Sequence, residues 1–112
     1  MRAPGQNTRP STGQHGPCLH LLLSPGLEAV QDLRRFSLAG DAVVLLGTAV
    51  IVLANDKRCL QRLPQGLTVY ALCADVLAQG LRPLATEAGI VLLDDTALLN
   101  LVAQFPHSLS WK

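Results

Sequence analysis

"LTVYALCADVLAQGL", residues 67–81, changes character halfway along. Its first half, residues 67–72, is apolar, β-branched and aromatic, which suits a strand. Residues 75–79 read as a brief helix, with Gly80 as its left-handed cap. No turn residues separate the two, so a strand feeds directly into a helix. That step is the unit of an α/β fold. It also sets one thiol, Cys73, at the junction between strand and helix.

Working outward, the same alternation recurs on both sides. Residues 19–23 read as a short buried strand, and residues 42–46 as a second. Between them Ser24 followed by Pro25 signals a helix start, a hydroxyl N-cap with proline in the first turn. Leu27, Val30, Leu33 and Phe36 give that helix an imperfect apolar stripe. Glu28 suits its first turn, and Arg34 and Arg35 its last. The run "TAVIVLAN", residues 48–55, is ambiguous: its β-branched residues favour a strand, while its periodicity admits a helix. Residues 56–63 resemble a short helix that buries Cys59, Leu60 and Leu63 and exposes Lys57, Arg58 and Arg62. Pro64 and Gly66 break it. Beyond residue 81, residues 90–93 form a fourth strand. Asp94 and Asp95 cap a last helix with Leu98, Leu101, Val102 and Phe105 on one face. Pro106 ends it, and "SLSWK" remains as a tail or edge strand.

Strands apolar throughout, alternating with helices, predict an α/β domain. The expected architecture is a small, mostly parallel sheet of four or five strands with helices on both faces. Residues 1–17, rich in proline and glycine and without an acid, read as a disordered extension. The folded domain then covers residues 18–112.

The chain has 112 residues, of which 49% are hydrophobic and only 15% charged. A domain of this size buries roughly 60–65% of the surface its unfolded chain exposes. So much apolar material in so small a body predicts an exposed apolar patch, and such a patch predicts a protein partner. The net charge of +1 makes no electrostatic case for nucleic acid or membrane. The longest apolar stretch, residues 42–54, is shorter than the ~20 residues a bilayer requires. The first seventeen residues lack the apolar core of a secretory signal. Cys18, Cys59 and Cys73 are widely spaced, with no C-x-x-C, and His15, His20 and His107 do not cluster with them as zinc ligands would. Reduced thiols in a cytoplasmic protein are the simplest reading.

Few residues suggest chemistry. There is no dinucleotide fingerprint, Walker loop or zinc-protease motif, and no cofactor is expected. Asp94 and Asp95 are read as helix caps rather than an acid–base pair. Lys57, Arg58 and Arg62 could meet RNA phosphates but read better as a solvated face. His20, within an apolar strand, reads as a satisfied core histidine. Cys59 reads as packing, and nothing near Cys18 suggests activation. Cys73 is the candidate for sulfur chemistry, since ligands in open α/β sheets bind at the carboxyl ends of the strands. Asp75 opposes a thiolate there, and no Lys, Arg or His between residues 63 and 81 offsets it. Packing is the preferred role for Cys73, with persulfide carriage beside it.

From residue 18 to residue 111 the chain resembles the TusB/DsrH family of sulfur-relay subunits. The resemblance is carried by "LHLLLSP", "GDAVVLL", "VYALCADVLAQGL", "GIVLLDDTALLNL" and Trp111, in order and at compatible spacing. It implies a B-type subunit of a heterohexamer with TusC-like and TusD-like chains. Such a complex takes persulfide sulfur from TusA and passes it to TusE for 2-thiolation of the tRNA wobble uridine, touching tRNA only indirectly. The DsrEFH counterparts serve sulfur oxidation instead. The resemblance implies a mainly structural role for this subunit, because the sulfur-carrying cysteine belongs to the D or E subunit. Cys73 follows the corresponding strand, although TusB-type members usually carry another residue there. Some DsrH members have a cysteine in the first helix where this chain has Val30, which favours the tRNA branch. The chain also departs from the family at Gly47, Thr48, Ala49 and Val50, where Asp-Gly commonly precedes the Val. The family makes the run that follows partly helical, and residues 1–17 have no counterpart in it.

Overall fold

A computed structural model describes residues 16–55 and 66–112. Five strands form one sheet, all parallel: β1 (Cys18–Leu22), β2 (Ala42–Leu45), β3 (Thr68–Leu72), β4 (Val91–Leu93) and β5 (His107–Trp111). Their spatial order is β4-β3-β2-β1-β5. The chain therefore moves stepwise in one direction from β1 to β4, then crosses the whole sheet to place β5 beside β1. With right-handed crossovers, that reversal sends the last connecting helix to the opposite face.

The helices divide accordingly. On one face lie α1 (Leu27–Phe36), a 3-10 turn (Gly47–Ile51) running into α2 (Val52–Asn55), α3 (Cys73–Ala78) and α4 (Arg82–Glu87). They pack with Leu22, Val43, Leu45, Ala71 and Trp111 in the larger core. On the other face α5 (Asp95–Gln104) lies over Leu19, Ala42, Val44 and Leu93. All four residues of β2 are buried because β2 is central and covered on both sides. Each such Val or Leu contributes about 1.5–3 kcal/mol on burial, which explains why the strand reads as unbroken apolar sequence.

Two local expectations need correction, and one ambiguity is resolved. Ser24 does not cap α1: its Oγ accepts the N–H of Gly26 at 3.0 Å, and Gly26 itself holds the N-cap position. Residues 48–55 are not a strand, despite their β-branched content. Both lateral positions beside β2 are filled by β1 and β3, so the run leaves the sheet at Gly47, where φ is +57°. It then buries Ala49, Val50, Val52 and Leu53 as a 3-10 turn and helix. Third, α3 begins at Cys73 rather than Asp75, and a further helix, α4, opens on Arg82-Pro83.

Other expectations agree. Gly80 follows the last residues of α3 with φ +67°, as a left-handed cap requires. Asp94 caps α5, its Oδ1 accepting the N–H of Ala97 at 2.7 Å, whereas Asp95 is the first helical residue. Residues 107–111 form an edge strand in register with β1. The extension called at residues 1–17 lies, up to residue 15, outside the described residues. So do the expected helix over residues 56–63 and, with it, Lys57, Arg58, Cys59 and Arg62.

Candidate functional site

In an open α/β sheet, a crevice opens where adjacent strands send their following helices to opposite faces. Here β3 and β4 do so: α3 joins the larger core and α5 covers the other face. Leu72 and Leu93 are cross-strand partners at the carboxyl edge. The next residues, Cys73 and Asp94, therefore flank the crevice from its two sides.

Cys73 is a free, half-buried cysteine at the first position of α3. One acid shares its turn. Asp75 stands in the same first turn, where its Oδ2 accepts the N–H of Gly47 at 2.7 Å and ties α3 to the end of β2. Asp94 and Asp95 lie across the crevice. Lys112 follows β5, three strand positions away, which at the usual spacing is roughly 14 Å. Cys18 is buried in β1 and its Sγ lies 3.9 Å from the carbonyl oxygen of Leu19. Val30, on the inner side of α1, is buried in the larger core. Among the described residues no group of three His, Cys, Asp or Glu is arranged to hold a metal ion. No described helix is long and apolar enough to cross a membrane.

The densest polar arrangement lies toward the opposite edge of the sheet. Asp41, just before β2, is buried, and its carboxylate accepts three hydrogen bonds. Oδ1 accepts the N–H of Cys18 at 2.9 Å; Oδ2 accepts the N–H of Leu38 at 3.0 Å and lies 2.8 Å from Nε2 of His20. The Trp111 indole N–H donates to Nδ1 of His20 at 3.0 Å. An indole nitrogen can only donate, so Nδ1 must accept and the proton must sit on Nε2. His20 is therefore a neutral ring in a single tautomer, completely buried and satisfied at both nitrogens. The Trp111 ring also stacks on Phe36 of α1, with centroids 5.6 Å apart.

This network joins the loop between α1 and β2, the start and middle of β1 and the end of β5. His20, Asp41 and Trp111 stand far apart in the sequence. Their positions are 21 and 91 residues from His20 to its two partners, too far apart for any local pattern to pair them. The available signal was a histidine inside an apolar strand, which needs buried partners. The three residues are the histidine of "LHLLLSP", the aspartate of "GDAVVLL" and the late tryptophan. These three residues thus make contacts that tie β1 to β5 and to the residue before β2.

The molecule is accordingly an all-parallel α/β protein with a buried polar network between β1, β5 and the residue before β2, and with a cysteine set apart at the crevice. The family model described as "DsrH like protein" matches residues 24–108, well over half of the chain, and the chain belongs to that family. No curated protein matches it. A conserved protein of unknown function from Bacteroides thetaiotaomicron, BT1422, has a similar structure with a TM-score of 0.58. That match is 19% identical and covers 83% of this chain and 93% of the other; it supports the fold.

Proposed function

We propose that this chain is the structural subunit of a TusBCD-type sulfur-relay complex, docking onto TusC-like and TusD-like chains. The complex would pass persulfide sulfur from TusA to TusE for 2-thiolation of the tRNA wobble uridine. The observation that carries this reading is the His20–Asp41–Trp111 network: the family's recurrent residues serve the scaffold, as expected of a subunit whose partners carry the chemistry. The choice of the tRNA branch over DsrEFH-type sulfur oxidation rests on Val30, which occupies the place of the extra first-helix cysteine. Co-expression with candidate TusC-like and TusD-like chains tests the assembly. A stable co-purifying complex is expected; a monodisperse chain that ignores both partners refutes it. Loss of 2-thiouridine from cellular tRNA on deletion, with sulfur oxidation unchanged, separates the two branches.

A second reading is favoured by one observation, the half-buried position of Cys73 at the β3–α3 junction. In it Cys73 attacks the outer sulfur of a TusA persulfide, takes that sulfur and releases the donor thiol. Incubation with loaded donor should then add one sulfur to the Cys73 peptide by mass spectrometry. An unchanged mass, or unaltered relay in Cys73→Ser, ends this reading and leaves the structural one intact.

A further inference from the structure

We propose that the His20–Trp111 contact is an acid-released latch on the last strand: a second proton on the imidazole evicts the indole, and β5 leaves the edge of the sheet. Along β5 the residues from His107 to Ser110 are half-buried or exposed, and Trp111 alone is buried. The strand pairs with β1 and with no other described strand, so it can detach while the ladders among β1, β2, β3 and β4 persist. Its hold on the interior is therefore one side chain, and that side chain donates to a group that titrates. Release bares the outer backbone ladder of β1 and the place beside Phe36 that the indole fills.

Histidine is the side chain whose charge ordinarily changes near neutrality. Here two contacts pull it in opposite directions. The Asp41 carboxylate, 2.8 Å from Nε2 and held ionised by the N–H groups of Cys18 and Leu38, favours a cationic ring. The indole N–H, 3.0 Å from Nδ1, occupies the place the second proton needs. A proton arriving from solvent at Nδ1 sets two donors face to face. The Nε2–H bond to Asp41 stays, and the indole N–H must take water as its acceptor, which brings Trp111 out. The other titratable or charged groups on the elements packed around the ring are Cys18 on β1, His107 and Lys112 at the two ends of β5, and Glu28, Asp32, Arg34 and Arg35 on α1. Of these His107 rides on the released strand itself, so it must be separated from His20 by experiment. The latched form excludes the second proton and the open form binds it, so acid favours opening. Below about pH 6.5, the ordinary value for a free imidazole, each pH unit should raise the open population about tenfold.

Two backbone amides report the outcome. The N–H of Leu23 donates to the Trp111 carbonyl oxygen, and that of Leu46 to the Leu22 carbonyl oxygen, so the first follows β5 and the second follows the sheet behind it. Hydrogen exchange of the full chain, corrected for the intrinsic rate, is followed from about pH 7.5 to about pH 5. Protection at Leu23 should fall about tenfold per pH unit below about 6.5, while protection at Leu46 holds. Fluorescence of Trp111 should shift to the red over the same range. His20→Gln keeps a donor and an acceptor without a titrating group, and Trp111→Phe keeps a ring without the N–H; both should abolish the slope at Leu23. His107→Gln should retain it. A flat wild-type profile at Leu23 overturns the proposal, and so does Leu46 following Leu23, since the whole sheet would then be opening. A slope that survives His20→Gln or Trp111→Phe, or disappears in His107→Gln, overturns it equally. Should a variant fail to fold, the wild-type profiles decide alone, together with nitrogen-15 NMR: a protonated Nδ1 beside a still-buried Trp111 ends the idea.

Discussion

Removing the Asp41 carboxylate gives the sharpest test of the buried network. In Asp41→Ala three donors lose their acceptor: the N–H groups of Cys18 and Leu38, and Nε2–H of His20. A buried donor left unsatisfied costs about 1–3 kcal/mol. His20 cannot adapt by moving its proton to Nδ1, because the Trp111 indole N–H points at that nitrogen. Allowing for water entering the vacated space, the loss should be about 3–5 kcal/mol, a large part of the 5–15 kcal/mol that stabilises a typical domain. Asp41→Asn separates charge and shape from acceptor count. Its single oxygen can face either Cys18 or the Leu38–His20 pair, while its amide nitrogen faces the other side. At least one donor is therefore orphaned, and about 1–3 kcal/mol should be lost. Urea unfolding at neutral pH, followed by far-UV circular dichroism and by fluorescence of Trp111, the sole tryptophan, measures both. The expected order is wild type, then Asp41→Asn, then Asp41→Ala. If Asp41→Ala unfolds within about 0.5 kcal/mol of wild type, the value typical of unimportant surface changes, the network does not hold the sheet and the reasoning fails.

Three further predictions follow from the same geometry. Nitrogen-15 NMR of His20 should show a protonated Nε2 and an unprotonated Nδ1; the opposite tautomer would contradict the Trp111 donor assignment. Trp111→Ala removes a buried ring that stacks on Phe36 and donates to His20, and should cost about 3–5 kcal/mol in denaturant unfolding. Asp94→Ala deletes the cap of α5 and should cost about 1 kcal/mol, with hydrogen exchange speeding first at Ala97.

Much of the fold was legible because the inner strands β1 and β2 have two covered faces, and continuous burial writes itself into sequence as continuous apolarity. Residues 19–22 and 42–45 show this plainly. Asp94 and Gly80 were legible for another reason: capping is local chemistry, decided within three or four residues. Residues 48–55 stay ambiguous in sequence because β-branching reports a preference for strands, whereas the outcome depends on β1 and β3 already occupying both sides of β2. The 3-10 turn is a tertiary result. At the site, the placement of Cys73 beyond β3 could be read directly. The crevice between β3 and β4 could not, since it depends on β4 pairing with β3 and on α5 leaving by the opposite face. The Asp41 network was hidden for the same reason, as its members meet only when β5 returns beside β1.

That return has a consequence for how the molecule is made. During synthesis the outer side of β1 must wait for residues 107–111, some ninety positions downstream, before it gains a neighbour. Until then His20 faces an empty place where the indole will arrive, and the nascent sheet offers an open backbone ladder to any passing strand. Long-range pairing of this kind is slow. This chain should therefore be most exposed to mispairing at the moment before its last strand emerges, and most helped by whatever shields β1 through that interval.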